Sequence, residues 1–347
     1  MTDNGARHPL VELTLARLRE FIREPEAIFW VFFFPILLAA GLGVAFRSED
    51  HPRVHAGVRS GAHAAELLSV LARDPVIQAR AVDPADEDRA LRNGEVEVVV
   101  LPGDPPTYRF DPTRPESRVA RLVVDAALQR ARGRADAFAP REGRVEGVGS
   151  RYIDWLLPGL LGMNIMGTGM WGIGFSIVMA RTKRVLKRLA ATPMSRAHFL
   201  LAQVLARLVF LALEVGALLL FAWLVLGVPV RGSLFALSAV AVLGALSFGG
   251  LALLIAARPR SIEAASGWMN FAMLPMWVLS GVFFSSAHFP AAAQPFIRVL
   301  PLTALNEALR AVMLDGAGMR TLGPQLLVLA GWGGSCFVLA LKMFRWK

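Results

Sequence analysis

The stretch Trp155–Ala180, WLLPGLLGMNIMGTGMWGIGFSIVMA, has no charged side chain, and it runs directly into the segment Arg181–Phe199, RTKRVLKRLAATPMSRAHF. A helix needs about 20 apolar residues to cross the hydrocarbon core of a bilayer, and the first segment exceeds that length. The second segment carries six Lys or Arg residues and no Asp or Glu. An apolar run followed by a basic loop predicts a transmembrane helix whose end, with the loop, lies in the cytoplasm.

Composition and the other apolar runs predict a membrane protein that is mainly α-helical. Of 347 residues, 55% are hydrophobic and only 18% are charged, and the mean hydropathy is +0.49, which is unlike a soluble globular protein. Six runs are long enough to predict six transmembrane helices: Ala27–Phe46, Trp155–Ala180, Phe199–Val230, Gly232–Ala257, Ala264–Phe284 and Thr321–Leu341. The first run is not a secretory signal, because a long charged segment precedes it and no small-residue cleavage site follows it.

The distribution of charge predicts the topology. The net charge is +10, but residues 47–151 contain 17 Arg and 17 Asp or Glu, so the whole basic excess belongs to the membrane part. Loops rich in Lys and Arg stay in the cytoplasm. We therefore expect cytoplasmic N- and C-termini, an extracytoplasmic segment 47–150, and membrane lipids rather than nucleic acid as the partners of the basic residues.

The segments outside the apolar runs predict three further parts of the structure. Residues 1–26 fit a helix that lies in the cytoplasmic interface, although an ordinary cytoplasmic extension of the first span is the alternative. Residues 47–150 fit a small extracytoplasmic α/β domain, with strands at VHAGVR and VEVVVLPG and three helices. Residues 151–347 hold the remaining five spans, and about 285–318, broken by Pro290, Pro295 and Pro301, fit short re-entrant helices in the outer leaflet.

Several kinds of chemistry are excluded by missing residues. The four lysines never follow a glycine, so no phosphate-binding loop of the GxxxxGK type is present. The six histidines lack the spacing of metal ligands, and His51 and His55 are separated by a proline, so we expect no metal site and no catalytic residues. The single cysteine, Cys336, permits no intrachain disulfide.

Polar residues within the apolar runs are the other candidate functional groups, because charge in a membrane is costly. Glu214 is the one acid well inside a span, and Arg207 precedes it on the same helical face. We expect Arg207 to extend to the cytoplasmic interface, which leaves Glu214 without a partner in its own helix. Glu214 then either contacts another helix or subunit or lines a substrate pathway. Asn164 and Asn270 are weaker candidates for that polar lining.

Six glycines in the second run favour close helix packing, with a flexible hinge as the alternative. The basic segment after it predicts a short amphipathic helix, and Thr192 and Pro193 are typical of the start of the next helix. Attraction to anionic lipid, about 1 kcal/mol per basic residue, explains the charge alone. The apolar stripe formed by Val185 and Leu189, with Leu186 beside it, instead suits a groove on a partner protein.

Together these motifs resemble a known family. The segment LKRLAATPMSR, the stretch YIDWLLPGLLGMNIMGTG before it, and LSGVFF and PFIRVLPLTALNEALRAV after the fifth run are similar to those of the permease subunits of ATP-binding-cassette exporters of the ABC type 2 class. The resemblance covers nearly the whole chain and implies a type V exporter-like fold. It also implies that loop 181–198 couples the permease to a separate ATPase.

The resemblance implies partners and site residues as well. The coupling residues would be Arg181, Lys183, Arg184, Leu186, Lys187, Arg188, Leu189 and Pro193. Two ATPase subunits would bind ATP and Mg, this chain would bind no cofactor, and a second permease, identical or paralogous, would complete the complex. The location would be a bacterial or archaeal inner membrane, and the cargo a drug, a lipid or a lipid-linked product. The protein would not be an enzyme by itself.

One departure from the family pattern affects the partner surface. Members commonly begin this loop with acidic residues, ERERGT, whereas this chain has Ala180, Arg181, Thr182 and Lys183, with Val185 at the usual glycine. We therefore expect a more acidic surface on the ATPase. Two other functions stay open at this point: a membrane-anchored sensor that binds a ligand through the extracytoplasmic domain, and an integral membrane enzyme acting on lipid.

Overall fold

The computed structural model describes residues 9–45, 53–135, 138, 151–182, 196–259 and 261–343. The chain divides into two compact units. The larger unit comprises Met1–Arg47 and Val145–Lys347, and the smaller unit comprises Ser48–Arg144. The larger unit is helical and the smaller unit contains the sheet.

In chain order the helices and strands are α1 (Pro9–Ile22), α2 (Pro25–Ala45), β1 (Val54–Arg59), α3 (Ala64–Leu71), β2 (Ile77–Val82), α4 (Glu87–Arg92), β3 (Val98–Leu101), β4 (Thr107–Phe110), α5 (Pro115–Ala131), α6 (Tyr152–Thr182), α7 (Arg196–Val225), α8 (Leu234–Ala256), α9 (Ile262–Leu279), α10 (Gln294–Val299), α11 (Pro301–Met313) and α12 (Gly323–Met343). Helix α2 contains a π-helical turn at Phe29–Phe33, and a 3-10 turn at Met319–Leu322 leads into α12.

Five segments in the described residues are long and apolar enough to cross a membrane. They are Pro25–Ala45, Tyr152–Thr182, Leu205–Val225, Leu234–Ala256 and Met319–Met343. The run predicted as the fifth span folds as the 18-residue helix α9, which is not one of these five. A mainly helical membrane fold is thus confirmed, and the sixth span stays a prediction.

The helix formed by the third apolar run ends before the run itself does. Helix α7 ends at Val225, although the run continues to Val230. Gly227 adopts a φ of +63°, a left-handed conformation that favours glycine, and the amide of Val228 donates back to the carbonyl of Ala222. Backbone turn chemistry, rather than hydropathy, sets this end of the helix.

Helix α6 lies at the centre of the larger unit, packed against α8, α9 and α11. Its leucine side chains and those of Met166 and Met170 are fully buried, whereas Met163 and Met179 are partly buried. Its glycines permit the close approach: a methyl group on Gly159 would lie 2.7 Å from the carbonyl oxygen of Val282, and one on Gly169 would lie 3.2 Å from the Cβ of Phe248. Close packing therefore accounts for Gly159 and Gly169, whereas a methyl group on Gly167 or Gly172 would meet nothing within 4 Å.

The smaller unit is a four-stranded sheet in the order β2-β1-β3-β4. Strand β1 runs parallel to β2 and β3, and β4 runs antiparallel to β3. Alternate residues of the strands pack on opposite faces: Ala56 and Val58 lie in a core with α3 and α5, and Val99 lies in a second core with α4. This two-sided cover explains the apolar character of β1 and β3.

Two strands of this sheet, β2 and β4, are not predicted from the sequence. Strand β2 has the sequence IQARAV and β4 has the sequence TYRF, whereas VHAGVR and the valine-rich β3 are the only two strands predicted. Both missed strands lie at the edges of the sheet, where one side of the strand needs no partner and polar side chains are tolerated. Alanine and arginine therefore replace the expected β-branched residues.

The proline-broken stretch after α9 folds as short pieces. It contains 3-10 turns at Ser286–His288 and Ala291–Ala293, then α10 and the amphipathic helix α11. Nearly all of α11 is buried against α6, α8 and α12. The placement of this stretch in the outer leaflet, like that of α1 in the cytoplasmic interface and of the smaller unit outside the cell, stays a prediction.

Candidate functional site

The clearest polar site in the membrane part is an ion pair within α7. Arg207 Nη2 donates to Glu214 Oε1 at 2.8 Å, and the two residues are 9% and 1% exposed. The expectation that Arg207 extends to the cytoplasmic interface is therefore wrong, and so is the expectation that Glu214 lacks a partner in its own helix. A buried carboxylate attracts the guanidinium more strongly than the distant interface does, because no water screens the pair.

The pair also joins α7 to α6. Arg207 Nη2 donates to the hydroxyl of Thr168 at 2.6 Å, and that hydroxyl lies 3.2 Å from Glu214 Oε1 and 2.8 Å from the carbonyl oxygen of Asn164. Thr168 has one hydroxyl proton, so it donates to one of these two acceptors at a time. We call Arg207, Glu214 and Thr168 the polar triad. Thr168 was not singled out from the sequence, since threonine is common on helix faces.

Asn164 extends this polar contact to the first span. Its side-chain Nδ2 donates to the carbonyl oxygen of Val31 at 3.4 Å, and Val31 lies inside the π-helical turn of α2. A π-helical turn displaces backbone carbonyls from their usual α-helical partners. The structure thus brings together two of the three predicted lining residues, Glu214 and Asn164, and connects them to three helices.

Asn270, the third predicted lining residue, lies apart from this site. It is on an exposed face of α9, beside Phe271 and Leu274, which are 71% and 53% exposed. A side-chain amide on an otherwise apolar exposed face is unfavourable in contact with lipid. This face is therefore the better candidate for contact with another protein surface or with a hydrated pathway.

Arg181 is the one predicted coupling residue whose contacts the structure describes. Its Nη1 donates to the carbonyl oxygens of Ala256 and Pro259, at 3.0 Å and 2.8 Å, at the end of α8. A cation at a helix C-terminus satisfies carbonyls that have no partner in the helix and favours the helix dipole. Arg181 thereby ties the start of the loop to the next loop on the same side. The other predicted coupling residues, Lys183, Arg184, Leu186, Lys187, Arg188, Leu189 and Pro193, lie outside the described residues.

A second polar cluster, at the other end of α6, was missed from the sequence. The side chains of Asn306 and Arg310 donate to the carbonyl oxygens of Ser280 and Gly281, which follow the C-terminus of α9. Arg310 also donates to the carbonyl oxygen of Trp155 at 3.2 Å, and its guanidinium lies 3.9 Å from the centre of the Trp155 ring. The available signal was an arginine in the amphipathic helix α11, because a guanidinium needs hydrogen-bond acceptors wherever it is buried.

The residues that the structure describes contain no candidate metal site. No group of three or more His, Cys, Asp or Glu among them could hold a metal ion. An open groove of about 470 Å³ between α1 and α7 has an almost wholly apolar lining: Leu10, Val11, Thr14, Leu15, Leu205, Leu208, Val209 and Ala212. The Thr14 hydroxyl donates to the carbonyl oxygen of Leu10, so it offers the groove no free donor.

A family model places this architecture among known proteins. The model of the ABC-2 type transporters matches residues 122–314, which is more than half of the chain. The chain belongs to the ABC-2 type transporter family. The matched region of this ABC-2 protein runs from α5 to the end of α11 and includes the polar triad, loop 181–198 and the cluster around Arg310.

Curated relatives of this ABC-2 protein are named as permeases. It is 26% identical to the probable multidrug ABC transporter permease YbhS of Escherichia coli K12, over 88% of each chain. It is 25% identical to the inner membrane transport permease YhhJ of the same strain, over 50% of this chain and 46% of YhhJ. This ABC-2 protein thus spans less than half the length of YhhJ and most of the length of YbhS.

Proposed function

We propose that this multi-pass ABC-2 protein is the permease of an exporter that moves a hydrophobic or amphiphilic substrate outward across a bacterial or archaeal inner membrane. The family match across the basic loop and the membrane helices carries this proposal. The printed name of YbhS, a multidrug permease, supports the class of cargo. The chain has no phosphate-binding loop of its own, so a separate ATPase, in two copies, binds ATP and Mg²⁺ and supplies the energy.

Loop 181–198 is the proposed contact with the ATPase, on the cytoplasmic side with both termini. Its basic residues suit an acidic ATPase surface, and Leu186 and Leu189 suit an apolar groove. The bonds from Arg181 to the end of α8 support this role, because they hold the start of the loop against a second loop of the same chain. A movement of the ATPase at the loop then reaches α6 and α8 together.

A second permease is proposed to cover the exposed face of α9. Asn270 needs polar contact, and Trp268, Phe271 and Leu274, all more than half exposed, provide apolar contact on both sides of it. A two-fold symmetric dimer brings two such faces together and leaves a path with amide and apolar lining between them. Such a lining accepts a substrate with one polar group and a large apolar body.

The double substitution Leu186→Asp and Leu189→Asp tests the ATPase contact. We expect the variant to insert normally and to lose the partner ATPase, and with it ATP-dependent export, because two carboxylates replace the apolar stripe. The matched control is Leu186→Met with Leu189→Met, which keeps the stripe apolar and conserves its volume. Export by the aspartate variant at the level of the methionine control would refute the contact.

Cross-linking tests the dimer. With Cys336→Ala removing the one native cysteine, Asn270→Cys should form a disulfide between two copies in native membranes. The matched control, Leu327→Cys, places the thiol on α12 at a position that is 75% exposed. Equal cross-linking at both positions would contradict a specific contact through α9.

A further inference from the structure

The polar triad ties together the two helices that emerge from the proposed coupling loop. Along the chain, helix α6 ends just before residues 183–195 and helix α7 begins just after them. Thr168 lies 14 residues before the end of α6, and Arg207 lies 11 residues after the start of α7. At 1.5 Å per residue, Thr168 lies about 21 Å and Arg207 about 16 Å along its helix from the loop. The triad therefore joins the two arms of this helical hairpin at a similar height.

The direction of the Arg207 side chain shows that the contact is specific. Side chains of an α-helix lean toward its N-terminus, and for Arg207 that is also the direction of the predicted cytoplasmic interface. Arg207 instead reaches toward Glu214, two turns further toward the C-terminus, and meets α6 at Thr168. The contacts with Glu214 and Thr168 therefore outweigh both the usual direction of helical side chains and the attraction of water at the interface.

The polar triad is poorly suited to a role that consists only of stabilising the fold. Arg207 Nε and Glu214 Oε2 have no hydrogen-bond partner among the residues that the structure describes. Buried ion pairs add little to stability compared with apolar side chains of similar volume, because removing charge from water is costly. A pair that also leaves two polar atoms unmatched is more readily explained by the geometry that it imposes on α6 and α7.

We infer that Arg207, Glu214 and Thr168 are positioning residues that make α6 and α7 move as one body when the ATPase moves the loop. This inference rests on the proposed function. Without the triad, a displacement of the loop would separate the two arms rather than move them together. The amide of Asn164, four residues before Thr168, carries the same displacement to the π-helical turn of α2. Movement at the loop would thus reach the first three spans of the permease.

Export per ATP hydrolysed is the first readout, measured on the full permease–ATPase complex in sealed lipid vesicles. The apolar pair Arg207→Met with Glu214→Leu, and separately Thr168→Val, should keep complex assembly and ATPase activity while export per ATP falls at least about fivefold. Thr168→Ser, which keeps the hydroxyl, should show the same export per ATP as the parent protein. Ser176→Ala, which removes a hydroxyl bonded only to the backbone of its own helix among the described contacts, is the matched control. Unchanged export per ATP in the apolar pair and in Thr168→Val would overturn the inference.

A distance measurement provides a readout that needs no ATPase. Spin labels at Gly172→Cys and Leu205→Cys, both exposed positions between the triad and the loop, report the separation of the two arms in a Cys336→Ala background. Labelled chain is diluted into unlabelled chain so that only pairs within one copy contribute. We expect a narrow distance distribution that broadens in the apolar pair and in Thr168→Val, but not in Ser176→Ala.

The two readouts separate the inference from the proposed function. If the parent protein shows no ATP-dependent export at all, the proposed function fails and the distance distribution decides the role of the triad. A distribution that is equally narrow without the triad would show that other contacts hold the two arms, and the inference would be wrong even if the permease is driven by an ATPase.

Discussion

Gly250 of α8 packs directly on the backbone of Gly333 of α12: a methyl group on Gly250 would lie 2.8 Å from the carbonyl oxygen of Gly333. The approach is mutual, because a methyl group on Gly333 would lie 3.2 Å from the Cα of Ser247. In lipid, helices associate through such close packing rather than through a hydrophobic driving force. The contact fixes the last span against the core of the permease.

Gly250→Ala should therefore destabilise the protein. The added methyl has backbone atoms in front of it, which cannot rotate away, so we expect a loss of about 1–3 kcal/mol, as for overpacked cores. Thermal unfolding of the purified permease in detergent measures it. The matched control is Gly334→Ala, because a methyl there meets nothing within 4 Å. Equal melting temperatures for the two variants would contradict this packing.

Removing one partner of the ion pair between Arg207 and Glu214 should destabilise the protein more than replacing both partners with apolar side chains. Glu214→Leu leaves the Arg207 guanidinium buried without its carboxylate, and we expect a loss of about 3–5 kcal/mol. Adding Arg207→Met should recover most of that loss, because the buried charge is then gone. Melting temperatures of the two variants provide the comparison. A double variant no more stable than the single one would show that the pair contributes through packing alone.

Arg310→Lys should weaken the junction of α6, α9 and α11 although it keeps the charge. The guanidinium donates from separate nitrogens to the carbonyl oxygens of Trp155 and Gly281 and stacks on an indole ring, and an ammonium cannot reproduce this fork. We expect a loss of about 1.5–3 kcal/mol, the range for hydrogen bonds of charged groups. Arg320→Lys, at an exposed position, is the control in the same unfolding assay.

The smaller unit should lose stability in acid through Glu87. The Arg59 guanidinium, followed by that of Arg109, holds the pKa of the Glu87 carboxyl below its ordinary value of 4.5, against the opposing effect of burial. A lowered pKa in the folded state gives a stabilisation that is present above pH 4.5 and is lost as the pH falls through the lowered value. Urea unfolding of a fragment comprising Ser48–Arg144, measured from neutral pH into acid, should show this decline.

Glu87→Gln should flatten that decline and lower stability at neutral pH. The amide has no charge for Arg59 and Arg109 to stabilise, so protonation no longer changes the interaction. Glu116→Gln, at an exposed position at the start of α5, is the control and should leave the pH dependence as in the parent. An unchanged acid dependence in Glu87→Gln would assign the effect to other carboxyl groups.

Apolar length correctly predicts the five membrane-length helices of the described residues, because it is a property of consecutive residues. Runs of about 20 apolar residues admit only a helix in lipid, where every backbone polar group must be paired within the segment. The strand VHAGVR is predicted to the residue for a similar reason, since it is buried on both faces. The edge strands β2 and β4 and the end of α7 depend on pairing and turn geometry, which hydropathy does not report.

The polar site was only partly predictable. Glu214 and Asn164 stand out as polar residues in apolar runs, but the direction of the Arg207 side chain depends on which helix lies beside it. Thr168 and Arg310 acquire their roles from neighbours that are distant in sequence, so spacing along one helix cannot reveal them. Within a single helix the interface is the nearest polar environment for Arg207, but in the folded protein Thr168 of α6 and Glu214 are closer.

A permease that is driven by a separate ATPase should be isolated together with it. We would purify the tagged chain from its native membrane under mild conditions, identify the proteins that accompany it and assay vanadate-sensitive ATPase activity. We expect a stoichiometric subunit with a phosphate-binding loop, present in two copies per permease dimer, and ATPase activity that co-purifies with this subunit. A permease that elutes alone and without ATPase activity, under conditions that keep other ABC complexes intact, would contradict an ATP-driven exporter.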